Sequence, residues 1–354
     1  MIDKRVTIKH VAQEAGVSTQ TVSRVMNNRP DVSEETRQRV NVVVARLGYE
    51  PSALARSLIH GRSRTLGVVA SALQYYGPVH ILVGVEQQAH ALGYSLLLSM
   101  LHEPGSDEGP QIVSNLLARQ VEGIIWMAPE IGDSSAWLKN KQANLSVPVI
   151  FTNTQSGAGF STVSIDNRSG GLLATSYLLE MGCQHIGIIA GALNWWETRQ
   201  RSLGWQEALS AAGIQVEERQ IAYGDWSAES GGAALEKLLA HFPEMDALFA
   251  CNDQMALGAL QAASRLGRRV PDDLAVVGFD DTPESPFFSP SLTTVRQPLS
   301  ELGESAVREV HRIIEARHAG DDNAAPASLW LQTRLVKRAS TPVRIFSHYR
   351  KGDA

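Results

Sequence analysis

The 354-residue chain is poor in several features, and each shortage excludes a class of protein. It has two cysteines, Cys183 and Cys251, far apart and without metal-ligand spacing. They read as two reduced core thiols of a cytosolic protein, neither a disulfide framework nor a metal site. No apolar stretch is long enough to cross a bilayer; runs such as 66–73 fall far short of about 20 residues. The first residues, MIDKRVTIKH, contain no apolar segment of the secretory type, so a cytoplasmic location is expected. The sequence also lacks a Walker loop, a G-x-S-x-G elbow and any His-rich metal spacing, so no enzyme, cofactor or metal is expected. His10 and His60 lie near the N-terminus, and the other eight histidines are scattered. Charged residues at 19% and 29 glycines are ordinary for folded protein, and the length suggests two or three domains.

A surplus of positive charge is also missing. The formal net charge is -5, which as an average argues against nucleic acid. The charge is not evenly spread, however. Residues 1–64 hold eleven Lys/Arg against six Asp/Glu, a net of +5, and the rest of the chain carries -10. A basic head on an acidic body is the asymmetry expected of a nucleic-acid reader joined to another function.

Three short helical patterns fit the head. The first follows Thr7 and places Ile8, Val11, Ala12 and Ala15 on one face. Gly16-Val17-Ser18 interrupts it, with Gly16 suited to a tight turn and Ser18 to capping the next helix. The second, 19–26, buries Val22, Val25 and Met26 and turns Thr19, Gln20, Thr21, Ser23, Arg24 and Asn27 outward. The third begins after Ser33, with Glu34 and Glu35 at the positive end of its dipole, and stops at Gly48. Helix, Gly-containing turn and a second helix with a polar face make a helix-turn-helix pattern. Gln pairs with adenine and Arg with guanine, whereas Ser, Thr and Asn suit phosphate oxygens. A plain three-helix bundle with a solvated polar face fits the same pattern. Pro51 then opens a two-turn helical segment, 52–59, too short to stand alone in water.

From residue 66 onward, apolar runs alternate with amphipathic segments. The runs 66–70, 95–99, 123–127, 147–151, 186–190, 247–251 and 275–279 predict strands. The segments 79–92, 169–181, 200–212, 230–241 and 254–266 predict helices between them. Alternation of this kind predicts βαβ units and doubly wound parallel sheets. The run pauses around 157–166, which predicts two similar α/β subdomains with a cleft between them. Ligands in such sheets bind beyond the carboxyl ends of the strands. Candidates there are Gln74, Tyr75 and Tyr76, then Asn153, Asn252 and Asp253, and Asp280 and Asp281. Trp126 and Trp226 offer flat faces; Trp195 and Trp196 read equally as packing or binding. Carboxylates or Asn beside Trp suit a sugar, whose hydroxyls need hydrogen bonds and whose C–H faces stack on rings. An Asp after a strand equally caps the next helix.

The head segment Val6-Thr7-Ile8-Lys9-His10-Val11-Ala12 followed by Ala15-Gly16-Val17-Ser18-Thr19-Gln20-Thr21-Val22-Ser23-Arg24-Val25-Met26-Asn27 closely resembles the DNA-binding head of the lac/gal repressor family. The match continues through Val32-Ser33-Glu34-Glu35-Thr36-Arg37. It implies base reading by Thr19, Gln20 and Arg24. Backbone contacts are implied for Thr7, Ser18, Thr21, Ser23, Asn27, Arg29, Ser33 and Thr36. The segment 51–64 resembles the family's hinge helix, in which Leu58 wedges into the minor groove, Ala55 packs on its partner and Arg56 lies near the backbone.

The resemblance runs to about residue 338 and implies a periplasmic-binding-protein-like core. Thr198-Arg199-Gln200-Arg201 with Gly204-Trp205 resembles the segment that presents the effector-binding arginine, assigned to Arg199. Gly224-Asp225-Trp226-Ser227-Ala228 resembles the segment whose Trp stacks on an inducer sugar. Asn252-Asp253-Gln254-Met255 and Val277-Gly278-Phe279-Asp280 place Asn252 and Asp280 at effector positions. The expected effector residues are therefore Tyr75, Tyr76, Trp126, Asn153, Arg199, Trp226, Asn252 and Asp280. Where a member of the family carries an aspartate, this chain has Asn153. The tail 341–354 has no leucine heptad, which predicts a homodimer and not a tetramer.

The expected organisation is an all-α head, 1–50, a hinge, 51–64, and an effector-binding and dimerisation core, 65–340. The first subdomain is expected to take 65–166 and 297–324, and the second 167–296 and 325–340. A flexible tail takes 341–354. The function implied is a repressor whose dimer holds a palindromic DNA operator and lets go when a sugar or glycoside enters the cleft. A sugar-binding protein without DNA function, and a regulator answering a non-sugar co-repressor such as a nucleobase, are the alternatives.

Overall fold

The computed structural model describes residues 6–49, 62–102, 108–129, 137–138, 145–154, 160–321 and 325–342. Its contacts divide the chain into two compact units, Met1–Arg64 and Thr65–Ala354.

The first unit is three helices, α1 (Ile8–Ala15), α2 (Thr19–Met26) and α3 (Glu34–Leu47). Gly16 and Gly48 end α1 and α3 in the left-handed conformation, which glycine adopts without steric cost. Ser18 caps α2 by accepting from the Thr21 amide at 3.0 Å, and Ser33 caps α3 by accepting from Thr36 at 3.4 Å. Val11, Ala12, Ala15, Val22, Val25, Val40 and Val43 form the core, with Ile8, Met26 and Leu47 packed at its edge. Small aliphatic side chains at helical spacing let three short helices close around so small a centre.

The second unit holds two six-stranded sheets. The first is ordered β11-β5-β4-β3-β1-β2, with β1 (Thr65–Ala70), β2 (Ser95–Met100), β3 (Gly123–Trp126), β4 (Val149–Thr152), β5 (Ser161–Ile165) and β11 (Ser328–Leu331). The second is ordered β12-β10-β9-β8-β6-β7. Its strands are β6 (Ile186–Ala190), β7 (Ile221–Tyr223), β8 (Ala247–Ala250), β9 (Ala275–Asp280), β10 (Thr293–Arg296) and β12 (Arg334–Val336). Every pairing is parallel except β12 against β10. The helices that link these strands begin with α4 (Tyr76–Ala91) and α5 (Glu108–Ala118) in the first half. They continue with α6 (Asn167–Glu180), α7 (Trp196–Ala211), α8 (Ala228–His241) and α9 (Asp253–Arg265) in the second. The last, α10 (Leu299–His318), returns to pack on α4.

Two differences from the sequence reading matter. The stretch expected as a pause contains β5, a fully buried strand that pairs with β4 and β11. The final return to the second sheet occurs between Leu331 and Arg334, not at residue 324, because β11 pairs with β5 of the first sheet. The chain thus passes between the sheets at 165–167, 296–299 and 331–334. Each half has its own core, one around Trp205, Phe249 and Phe279, the other around Leu66, Ile125, Ile150 and Leu302.

Candidate functional site

On α2 the exposed residues are Thr19, Gln20 and Arg24, with Ser18 just before them. Thr21, Ser23 and Asn27 are half-buried, and the Asn27 amide donates to the Ser23 carbonyl at 2.8 Å, closing the helix end. Thr7, Arg29 and Ser33 are exposed, and Thr36 is half-buried. Arg37 donates to the Arg29 carbonyl at 2.7 Å, bracing the turn after α2. Arg24 lies 3.5 Å from Asp31, with both side chains about half exposed. The expected base readers are thus exposed on one short helix, clear of the small core. Ala55, Arg56 and Leu58 lie outside the described residues.

In the second unit a cavity is lined by residues from both halves. Tyr75, Tyr76, Asn153, Trp226, Asn252 and Asp280 line it as expected. Trp195, left open between packing and binding by the sequence, lines it as well, as do Glu197, Arg201 and Gln297, which the sequence did not single out. Two assignments need correction. Arg199 is exposed, outside the lining, with its Nη1 donating to the Asn194 carbonyl at 3.1 Å. Arg201, two positions on, points the opposite way around α7 and is 5% exposed. Trp126 is core: it packs edge-on to Trp137 and against Phe151, and does not line the cavity. Gln74 is exposed and also outside the lining.

Arg201 is held from three sides. Its Nε donates to Asn167 Oδ1 at 2.7 Å, its Nη1 to the Cys251 carbonyl, and its guanidinium lies 3.9 Å from the Phe279 ring. The cation is therefore pre-positioned at the cavity wall. Asn252 is committed to the fold: its Oδ1 accepts from the Met255 amide at 2.9 Å, capping α9, and its Nδ2 donates to the Trp226 carbonyl at 2.9 Å. Asn153 Oδ1 accepts from the Ile165 amide at 3.1 Å. Gln297 Nε2 donates to Asp280 Oδ1 at 2.5 Å. Asp253, a candidate from its place after β8, is structural instead. It accepts from the Thr282 amide at 2.8 Å, from Ser285 at 2.5 Å and from Thr294 at 2.6 Å. Asp281 pairs with Arg296 and Arg338.

Three lining residues adopt positive φ: Asn153 at 47°, Trp226 at 77° and Asp280 at 124°. Asn tolerates this region, but a bulky Trp there is strained, and such strain collects at binding sites. Gly191 makes the Trp226 position possible, since any Cβ there would strike the indole. Trp226 faces Trp195 with ring centroids 5.5 Å apart, and Trp195 meets Tyr75 edge-on at 5.8 Å. Aromatic rings and polar groups thus share the lining, with the Arg201 guanidinium 5.7 Å from the Trp226 ring.

The electrostatics follow from burial. Desolvation raises the Glu197 carboxyl above the ordinary range; the Asn153 amide and the Arg201 charge work against it. Burial also raises Asp280 and Asp253, which repel each other. Tyr76 is pushed up to about 12 by burial and then by Asp280 and its acidic neighbours. Burial likewise pushes the Cys251 thiol up to about 12, making it an inert core side chain. Among the described residues no group of His, Cys, Asp and Glu could hold a metal ion, and no helix is long and apolar enough to cross a membrane.

Comparisons with known proteins agree with this division of labour. Residues 7–52 match the family described as bacterial regulatory proteins, lacI family, and residues 175–341 match a periplasmic binding protein-like domain. The chain is 35% identical over 339 residues to the lactose operon repressor of Escherichia coli strain K12, covering 96% of this chain and 91% of that one. It is also 35% identical over 347 residues to the HTH-type transcriptional repressor PurR of Yersinia pestis strain Pestoides F, covering 98% and 99%. Among solved structures, the lac repressor dimer bound to operator and the anti-inducer ONPF superposes with a TM-score of 0.88 at 34% identity, covering 96% of this chain and all of that one. The transcriptional regulator CelR in complex with cellobiose does so with a TM-score of 0.69 at 32% identity, covering 95% and 100%. The chain belongs to the lacI family of bacterial regulatory proteins and is a DNA-binding transcriptional regulator.

Proposed function

We propose that this regulator is a repressor that binds a near-palindromic operator as a homodimer and is released when a sugar or glycoside fills the cavity. Thr19, Gln20 and Arg24 read base edges in the major groove, and Thr7, Ser18, Thr21, Ser23, Asn27, Arg29, Ser33 and Thr36 position the head on phosphates. Two hinge segments meet in the minor groove, where paired Leu58 side chains wedge open the central step, with Ala55 and Arg56 alongside. Unstacking costs a few kcal/mol, so a lone hinge gains too little to stay inserted. The effector residues are Tyr75, Tyr76, Asn153, Trp195, Glu197, Arg201, Trp226, Asn252, Asp280 and Gln297.

The observation that carries the effector class is the cavity itself, lined by Trp195 and Trp226 together with Arg201, Asp280 and Gln297. Rings that stack on C–H faces opposite fixed polar groups suit a sugar. One of the similar proteins points the same way by what it holds, cellobiose. A nucleobase co-repressor is the second reading, favoured by Tyr75 and Tyr76 beside the cavity and by the similarity to PurR.

Selection of binding sites from a random duplex pool, using the purified full chain, tests the DNA half. An inverted repeat is expected, bound by two copies, and Leu58→Ser should weaken that complex strongly. A single unrepeated half-site bound by one copy would refute the dimer reading. Removing residues 1–64 separates the regulator from a mere solute-binding protein: specific DNA binding is lost while effector affinity stays.

A further inference from the structure

The turn between α2 and α3 is fixed from the α3 side. Arg37 donates from Nη2 to the Arg29 carbonyl at 2.7 Å and from Nη1 to Asn28 Oδ1 at 3.4 Å. Asn28 takes the left-handed region at φ 49°, which Asn tolerates, and Pro30 holds its own φ near a single value. The turn thereby carries Asp31 back to the last turn of α2, where its Oδ2 lies 3.5 Å from Arg24 Nη1.

Folding does not call for a carboxylate at position 31. Ser33 caps α3, Glu34 and Glu35 already place negative charge at the positive end of its dipole, and the core of the head is aliphatic. An ion pair between two half-exposed side chains adds little stability. Elsewhere in the head Glu14 pairs with Arg46 and Glu34 with Arg37, whereas Asp31 is set against an expected base reader.

Resting on the reading of Arg24 as a base reader, we propose that Asp31 is a specificity-determining positioning residue of the DNA-reading face: it steers the Arg24 guanidinium toward a base edge and keeps it off the phosphates. A long cation on a recognition helix meets two kinds of acceptor. Phosphate oxygens carry full charge, and an arginine that settles on them binds every sequence alike. A carboxylate beside it opposes that outcome twice. It limits the rotamers of a side chain that is otherwise costly to order, and it repels an approaching phosphate. At 3.5 Å the pair is longer than a charge-assisted hydrogen bond, so Arg24 keeps its N–H donors for the two acceptors of a guanine edge.

The test uses the purified full chain, its Asp31→Asn, Asp31→Glu and Arg24→Ala variants, and the double variant Arg24→Ala with Asp31→Asn. Probes are the inverted repeat selected by the parent chain, a panel of its single-base-pair variants and a random duplex, read by fluorescence anisotropy at about 50 and 200 mM salt. At the base pair where Arg24→Ala loses preference, Asp31→Asn should lower that preference about two- to fivefold, while tightening the random duplex and steepening its salt dependence. Asp31→Glu should keep the parent preference, and Asp31→Asn should remove none when Arg24 is already alanine. Equal weakening of operator and random duplex by Asp31→Asn would overturn the proposal by making the residue structural. A preference that Asp31→Asn leaves intact although Arg24→Ala relaxes it would overturn the Asp31 role alone, with Arg24 still a base reader. A further loss of preference in the double variant would mean that Asp31 acts by another route, which also overturns the proposal. If Arg24→Ala weakens every duplex alike, the base-reader assignment fails and the Asp31 role with it.

Discussion

Arg201→Ala against Arg199→Ala separates the two arginines of α7 by energy as well as by function. The Arg201 guanidinium makes two hydrogen bonds and lies on the Phe279 ring. Hydrogen bonds to charged groups are worth about 1.5–3 kcal/mol each, and a desolvated cation–π contact about 2 kcal/mol. These terms are not additive, and removing one partner from a buried charged network typically costs about 3–5 kcal/mol. A loss of about 4 kcal/mol is expected. At about 2–4 °C per kcal/mol for a domain of roughly this size, the melting temperature should drop by about 8–16 °C. Arg199 is exposed and makes a single hydrogen bond to Asn194, so its truncation should stay within about 0.5 kcal/mol. The assay is thermal unfolding by circular dichroism, followed by glycoside titration of whichever variant remains folded at the working temperature. Arg201→Ala should also abolish effector binding, and Arg199→Ala should leave it unchanged. Equal melting losses for the two variants, or loss of effector binding in Arg199→Ala alone, would refute the reasoning.

Other outcomes follow from the same structure. Arg24→Ala should cost about 1–3 kcal/mol on the selected operator and relax preference at one base pair, whereas Arg29→Ala should weaken all sequences alike and flatten the salt slope by about one phosphate's worth. Equal losses on operator and random DNA for Arg24→Ala would contradict its role as a base reader. The pH dependence of the second unit has a definite sign. Burial raises the folded-state pKa of Asp280 above its unfolded value, so its contribution is fully present below the unfolded pKa and is lost as pH rises through the folded one. Melting temperature should therefore fall more steeply from pH 4 toward pH 8 in the parent chain than in Asp280→Asn; identical slopes would contradict it. Gly191→Ala should displace the Trp226 ring, costing about 1–3 kcal/mol and shifting tryptophan emission, and an unchanged spectrum would contradict that contact.

The parallel sheets were legible because their central strands are continuous apolar runs, as in Ile186–Ala190 and Ala275–Asp280. The strand Ser161–Ile165 was hidden because it is half polar yet wholly buried. Its hydroxyls find partners that no linear pattern reveals: Ser161 donates to Glu309 at 2.8 Å and Ser164 to the Thr154 carbonyl at 3.0 Å. The strand Thr293–Arg296 escaped for the same reason, with Thr293 and Thr294 buried and bonded. In the cavity, residues just after strands were legible from topology, since that is where such sheets bind ligands. The choice of Arg199 over Arg201 was the error a helix invites. Arg201, Gly204, Trp205 and Ala208 follow the spacing of one buried face, and that periodicity would have selected the right arginine. The segment 224–228 singled out Trp226, which lines the cavity, but nothing in the sequence showed that Trp126 is core. The difference is made by the neighbours, Phe151 and Trp137 for one and Trp195 across from Gly191 for the other.

Repression that a sugar relieves requires coupling between the cavity and the DNA-reading head, and binding linkage makes that coupling measurable from either side. The direct measurement is fluorescence anisotropy of a labelled selected operator bound to the full chain, titrated with the neutral glycoside that binds most tightly. Release of the operator is expected, with its dissociation constant raised at least tenfold at saturating glycoside. An operator affinity that stays constant while the cavity fills would contradict the account.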